Sequence, residues 1–204
     1  FGWYYGKVDA LGAHLDALHA AHPHTPIAVS EYGAGGALSQ HTDDPRSGEV
    51  VVSGRPHPEE FQSWWHEQTW PQIAQRSYLW ASWVWNMFDF ASAIRHEGDA
   101  IDLNDKGLVS YDRKVKKDVF FFYKAQWSSE PVVHINGRRY VERDSAVIDV
   151  RVYSNAERVL GPAPLFRLKD RFRSKVLVKT DPDDNPAALV REAVARVAGE
   201  RSSR

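Results

Sequence analysis

The sequence predicts an α/β fold, with a parallel β/α unit over residues 1–128 and a separate all-β unit over residues 131–204. Two observations carry this. Up to Trp127, short apolar runs alternate with stretches whose apolar residues recur at helical spacing, the order expected of strands and helices around a parallel sheet. Beyond Pro131 the runs become short, β-branched and alternating, as in antiparallel strands with one buried face.

Residues 1–5, F-G-W-Y-Y, read as the end of a buried strand, with Gly6 opening a loop. Leu11, Leu15, Leu18 and Ala21 define an amphipathic helix over 8–21. Pro23 and Pro26 bound a short connection into Ile27-Ala28-Val29, a strand that reads as buried on both faces and ending at Glu31. Residues 37–57 are polar and aperiodic, and a loop of that length is functional or disordered. Pro58-Glu59-Glu60 opens a helix, with proline and acidic groups in its first turn. It runs through Phe61, Trp64, Trp65, Gln68 and Ile73 to residue 76. L-W-A-S-W-V-W-N, 79–86, is the next strand, and a second long loop spans 92–105. A helix over 115–127 places Val119, Phe120, Tyr123 and Trp127 on one face. Residues 128–131 form a linker, 132–135 and 146–153 are strands, and Asn136-Gly137 is a hairpin turn. From Leu160 the strand pattern fades, 187–198 reads as an arginine-rich helix, and 200–204 as a disordered end.

Composition narrows the chemistry. With 43% hydrophobic and 26% charged residues and a net charge of −1, nothing favours nucleic acid or an anionic membrane as a partner. No run approaches the roughly 18 apolar residues of a membrane span. The absence of cysteine excludes disulfide and thiol chemistry. Eight Trp, eight Tyr and nine Phe are a heavy aromatic load, suited to a core or to stacking on the apolar faces of sugars. His14, His19, His22 and His24 lack a metal-ligand spacing and read as solvated surface groups, so neither a metal nor a cofactor is expected. The chain opens without an initiator Met or signal peptide, as the interior of a longer protein would.

Two strand ends carry polar and aromatic clusters. In P-I-A-V-S-E-Y-G-A-G-G (26–36), Glu31 sits where the apolar run stops, and parallel β/α folds carry their chemistry at the carboxyl ends of strands. A glutamate there is a nucleophile, an acid/base group or the cap of a turn. Asn86, Met87, Phe88, Asp89 and Phe90 form the second cluster.

Taken in order, F-G-W-Y-Y-G (1–6), S-E-Y-G-A-G-G (30–36), W-V-W-N-M-F-D-F (83–90), N-D-K-G-L-V-S-Y-D-R-K (104–114) and V-R-V-Y-S-N-A (150–156) resemble glycoside hydrolase family 2, the family of β-galactosidases and β-glucuronidases. The resemblance implies the C-terminal portion of a (β/α)8 TIM barrel, strands six to eight, followed by part of an immunoglobulin-like sandwich. It implies that Glu31 is the nucleophile of a retaining mechanism, which needs two carboxyl groups about 5–5.5 Å apart. Tyr32 is implied as a wall of the site, although alternation along a strand can point it elsewhere. Trp85 takes the place of an indole on the pocket floor, with core packing as its other reading. Trp3 and Tyr4 are similar cases. Asn86 and Asp89 are implied as ligands of sugar hydroxyls, with a loop-capping role for Asp89 equally open, and His41 as a group reaching in from the long loop. The partner is then a terminal β-linked sugar. The W-N-M-F-D-F stretch (85–90) leans toward a β-galactoside, with a β-glucuronide or β-mannoside as alternatives. The family's acid/base glutamate belongs to the fourth strand, upstream of Phe1, so the chain alone is expected to be inactive. A carbohydrate-binding module and a non-catalytic scaffold are the rival readings; oligomeric state and location (cytoplasm, periplasm or secreted, in a bacterial parent) stay open.

Overall fold

The structure, a computed structural model, describes residues 1–47, 50–143 and 147–155, and the backbone of 166–168 and 171–179. The chain divides after Trp127 into two compact units, Phe1–Trp127 and Ser128–Arg204.

The first unit is built on a three-stranded parallel sheet in the order β1-β2-β3. β2 (Ile27–Gly33) lies between β1 (Gly2–Tyr4) and β3 (Leu79–Val84). Parallel neighbours need long crossovers, and α1 (Leu11–Ala21) and α2 (Glu59–Ala74) lie in these connections. α1 starts three residues later than its periodicity implies, because Ala10 N–H closes a turn onto the Lys7 carbonyl. The segment read as a second long loop contains a short antiparallel pair, β4 (Phe90–Ala91) and β5 (Leu103–Asn104). α3 (Asp118–Trp127) packs on α2.

Leu11 and Leu15, Ile27 and Val29, Trp65 and Ile73, and Val119, Phe122 and Tyr123 form the core of this unit. In α3 the buried stripe is Val119, Phe122 and Tyr123, at i, i+3 and i+4, rather than the expected stripe through Phe120. Phe120 is half-buried under the Lys116 ammonium, 5.0 Å from its ring centre, and Trp127 is largely exposed while meeting Trp70 edge-on at 5.4 Å. The N-terminal strand is not buried, since Phe1 and Gly2 are exposed on an edge of the sheet. β3 forms the other edge, where Trp80 and Trp83 are 66% and 49% exposed and pack edge-to-face.

One irregularity decides where β2 points its side chains. Between Val29 and Tyr32 the pairing with β3 slips: Val29 faces Ser82 and Tyr32 faces Val84, three residues of advance against two. Such a bulge re-aims the residues beyond it. Ile27, Val29 and Tyr32 are thus all buried, whereas unbroken alternation would have put Glu31 on the face of Val29. The strand is consequently buried on one face, not on two, with Ser30 exposed and Glu31 half-buried.

The loops behind the sheet are tied by a buried polar network. The Lys117 ammonium donates to the Gly36 carbonyl at 2.7 Å, to Asp89 Oδ1 at 2.8 Å and to the Asp105 carbonyl at 2.8 Å. Asp89 Oδ1 also accepts from Gly107 N–H at 2.8 Å. A side chain at Gly107 would strike the Asp89 backbone, which accounts for the glycine. His57 donates from Nδ1 to the Asp105 carboxylate and from Nε2 to the Val51 carbonyl, each at 2.8 Å. The first long loop is therefore anchored where it meets α2.

In the second unit, β6 (Val133–Ile135), β7 (Val147–Ser154), β8 (Phe166–Leu168) and β9 (Arg171–Lys179) form an antiparallel sheet in the order β6-β7-β9-β8. Two expectations are corrected here. Asn136-Gly137 is not a two-residue hairpin, because β6 and β7 are joined by a longer connection, although Gly137 does take the left-handed conformation (φ 72°). The strand pattern does not end at Leu160, since β9 pairs with β7 from Val147↔Lys179 to Val152↔Ser174. Arg171, Arg173 and Lys175 on alternate positions blurred the strand pattern there. The expected helix over 187–198 and the end at 200–204 lie outside the described residues.

Removing Lys117 tests the network. Lys117→Met leaves Asp89 buried without its cation, and the expected cost at pH 7 is about 3–5 kcal/mol by urea unfolding of the chain. Adding Asp89→Asn to that variant should recover part of the loss.

Candidate active site

Glu31 lies near the carboxyl end of β2, directly across from Gly2 of β1. A side chain at Gly2 would come within 3.2 Å of Glu31 Cγ, so the glycine leaves the carboxylate its space. Tyr4, next on the same face of β1, has its hydroxyl beside the Glu31 carboxylate. Burial, and then the bond to and charge of Glu31, raise the Tyr4 phenol far above its ordinary range, while the positive charge of Arg95 opposes them. A phenol so disposed stays protonated and acts as a fixed donor.

Trp85 follows β3 and donates its backbone N–H to the Tyr32 carbonyl at 2.8 Å, which seats it beside the end of β2. Its peptide bond to Asn86 is cis, and its ring meets Phe90 edge-on at 5.8 Å. Gly33 is required there, because a Cβ would lie 2.0 Å from the Trp85 carbonyl oxygen. The structure therefore brings Glu31, Tyr4 and Trp85 to one end of the sheet.

Other expected site residues are placed elsewhere. Tyr32 is not a wall of the site: it is fully buried, and its hydroxyl accepts from Tyr123 at 3.1 Å. The Tyr123 hydroxyl is bonded in turn to His66 Nδ1 at 2.8 Å, and burial pushes that imidazole down to about 3, so it is neutral. Trp3 pairs in register with Tyr32, and its ring lies 5.8 Å from that of His14 in α1, on the face away from Glu31. Asn86 donates to the Phe88 carbonyl at 2.8 Å and so braces its own turn, although its Oδ1 has no hydrogen-bond partner. Asp89 is 5% exposed and committed to Lys117 and Gly107, which makes it a loop anchor and not a ligand for a sugar hydroxyl. His41 Nδ1 meets Glu60 Oε1 at 3.0 Å, so the long loop is clipped to the start of α2. Of the first-helix histidines, His14 is exposed and His19 stacks on Tyr78 at 4.1 Å.

Several polar groups behind the site were invisible as motifs. Tyr5 is buried deeply enough to raise its phenol well above the ordinary range, and its hydroxyl accepts from Gly35 N–H. Arg95 and Lys106 both bind the fully buried Glu97, at 2.9 and 2.8 Å. The one sequence signal for this cluster was the apolar run Gly107-Leu108-Val109 directly after Asp105-Lys106, which buries its charged neighbours. His57, Glu97 and Asp105 group at ligand-like separations, but their polar atoms are engaged by one another, Arg95, Lys106 and Val51.

Asp89 and Asp105 predict opposite responses to pH. Burial outweighs the attraction of Lys117 and raises Asp89 to about 6, so its charging costs stability as pH rises from about 4 to about 6. His57 holds the Asp105 carboxyl low against burial, and that contribution is lost as pH falls through its depressed value. Asp89→Asn should remove a loss of order 1–3 kcal/mol between pH 4 and 6 while keeping the acid-side loss, as read by urea unfolding at stepped pH.

Comparison with known proteins shows what the chain is similar to. No family profile matches the chain. A β-glucuronidase of Bacteroides fragilis is 45% identical over 139 residues, covering 68% of this chain and 20% of the relative. A putative β-glucuronidase of Formosa agariphila is 28% identical over 78% of this chain and 21% of its own length. The chain thus spans about a fifth of these relatives. Among solved structures, an FMN-binding β-glucuronidase from Faecalibacterium prausnitzii superposes with a TM-score of 0.74 at 38% identity, over 89% of this chain and 28% of that one. A putative β-galactosidase from Bacteroides fragilis gives 0.75 at 33% identity with the same coverage. The chain is accordingly a relative of the β-glucuronidases and β-galactosidases, and its resemblance to glycoside hydrolase family 2 is supported by both sequence and fold.

Proposed function

We propose that this chain carries the nucleophile side of the active site of a retaining β-glycoside hydrolase, with a terminal β-glucuronide as substrate. The observation that carries the reading is the half-buried Glu31 carboxylate near the carboxyl end of a parallel sheet, across from Gly2 and beside Tyr4 of the neighbouring strand. In this reading β1, β2 and β3 are strands six to eight of a (β/α)8 barrel, and the antiparallel unit belongs to a following sandwich. The Bacteroides and Faecalibacterium relatives named β-glucuronidase favour a glucuronide over the galactoside that the 85–90 stretch suggested. The relative named as a putative β-galactosidase keeps the neutral sugar as the second reading.

Glu31 attacks the anomeric carbon and displaces the aglycone, forming a covalent glycosyl-enzyme. A second carboxyl group protonates the leaving oxygen and then draws a proton from the water that hydrolyses the intermediate. That group comes from sequence outside this chain, in keeping with the fifth of its relatives that the chain spans. Tyr4, permanently protonated, orients the attacking oxygens and does not exchange protons with substrate. Trp85 supplies an apolar face for the sugar ring.

The test is covalent trapping in the full-length gene product. A 2-deoxy-2-fluoro-β-glucuronyl fluoride should label the peptide containing Glu31, and the galactosyl analogue should label it more slowly. Faster labelling by the galactosyl reagent would restore the neutral-sugar reading. A folded protein that takes no label from either reagent would refute the hydrolase reading and leave a binding or scaffold role. The 204-residue chain by itself should not hydrolyse a nitrophenyl glucuronide.

A further inference from the structure

Glu31 is paired in register on one side of β2 and not on the other. Toward β1 it faces Gly2. Toward β3, the stretch between the pairs Val29↔Ser82 and Tyr32↔Val84 sets Ser30 and Glu31 together against Trp83. Two residues against one leave the ladder locally open. A regular ladder would close it, but side chains alternate along a strand. That register would turn Glu31 into the core beside Val29 and turn Tyr32 out of it. The carboxylate therefore faces the site only while β2 keeps its irregular step, and the step depends on what holds Tyr32, the first residue to pair again.

Tyr32 is held by its backbone and by its side chain. Its carbonyl accepts from Trp85 N–H at 2.8 Å. Its ring is fully buried, and its hydroxyl accepts from the Tyr123 hydroxyl of α3 at 3.1 Å. His66 of α2 sets Tyr123 in turn, with Nδ1 2.8 Å from the same hydroxyl. The chain has a direction. His66 is fully buried and its Nε2 has no hydrogen-bond partner among the described residues, so a proton there would be buried bare. Nδ1 carries the proton of the neutral ring and donates it to Tyr123, which leaves the Tyr123 proton for Tyr32. The Tyr123 ring has little freedom of its own, since it meets His66 edge-on at 5.4 Å and Trp127 at 4.4 Å. Both helices thus act, through one hydroxyl, on the residue next to Glu31.

We propose that Tyr32, Tyr123 and His66 are positioning residues for the reaction at Glu31: their hydrogen-bonded chain selects the irregular register of β2, and with it the side of the sheet on which the carboxylate is presented. The inference rests on the reading of Glu31 as nucleophile. Attack needs the carboxylate at a near-attack distance, and a displacement of about 1 Å costs roughly 10²-fold in rate. All three side chains lie in the core, so they act on where the carboxylate stands and not on how the sugar binds. Phenylalanine at 32 or 123 keeps the ring and removes one bond, which loosens the register without emptying the core.

The test times covalent trapping of the full-length gene product by 2-deoxy-2-fluoro-β-glucuronyl fluoride or its galactosyl analogue, whichever labels faster, because attack by the nucleophile is the step observed. Tyr32→Phe and Tyr123→Phe should each lower the maximal trapping rate about tenfold, with the half-saturating reagent concentration changed less than about twofold. The double variant should be no slower than the slower single one, since both changes break one chain. His66→Leu should match them, and His66→Asn, which keeps an N–H where Nδ1 lies, should recover most of the rate. Ile73→Ala truncates the core two turns further along α2 and is the control, with a lowered Tm and a normal trapping rate. An unchanged rate in both Phe variants would overturn the inference. So would losses confined to the half-saturating concentration, losses that add in the double variant, or an equal loss in Ile73→Ala. The labelled peptide separates this inference from the reading beneath it. Label on another carboxylate, or none from either reagent, removes the nucleophile assignment and this inference together. Label on Glu31 with normal Phe variants removes only the role of the chain.

Discussion

The first unit depends on the buried ammonium of Lys117. Its three protons go to Gly36, in the loop behind β2, to Asp89, behind β3, and to the Asp105 backbone, just before the run into α3. An ammonium taken out of water is costly, several kcal/mol even after relaxation, unless every proton finds a partner. All three segments must therefore arrive together. The glycines at 36 and 107 let backbone approach closely enough for this, as a side chain at either would strike Gln62 or Asp89. The loops that frame the site behave as one cooperative piece as a result, despite carrying little regular structure.

In the proposed reading the reacting carboxylate rides on more regular backbone than this knot. Glu31 and Tyr4 sit on neighbouring parallel strands, whose register fixes their separation. In the loop after β4, Glu97 is buried and bound from two sides, by Arg95 and Lys106. In the proposed reading the sheet presents the reacting group and clamped loops frame it, a division common where binding residues ride on loops over a fixed scaffold.

How much of this was legible in the sequence varies by residue. The alternation of apolar runs and helical stripes located β2, α2, β3 and α3, because burial of one helix face and one sheet face leaves a periodic mark. Glu31 stood out because it ends an apolar run among glycines. Tyr32 and Trp3 were misplaced for one reason: the side a strand residue faces depends on register, and the slip between Val29 and Tyr32 leaves no mark in composition. Asp89 and His41 sit beside site-like residues in the chain but are bonded to Lys117 and Glu60, partners 28 and 19 positions away. Polar networks of this kind have no period, and pairings such as His57 with Asp105 emerge only once the chain is folded. β9 was hidden differently, since charged residues at 171, 173 and 175 mask its strand spacing.

The irregular step in β2 has a consequence for how the protein can change over time. Tyr32 is packed against α2 and α3 through His66 and Tyr123, and its neighbour Glu31 points the other way. Any repacking that rotates Tyr32 out of its hydroxyl chain also turns the carboxylate beside it. Substitutions in the interior at positions 32, 66 and 123 are thus screened twice, once for whether the unit folds and once for where the carboxylate ends up. A core drift that another protein would absorb as a small loss of stability here becomes a loss of chemistry, so this buried patch should vary more slowly among relatives than its packing alone would demand.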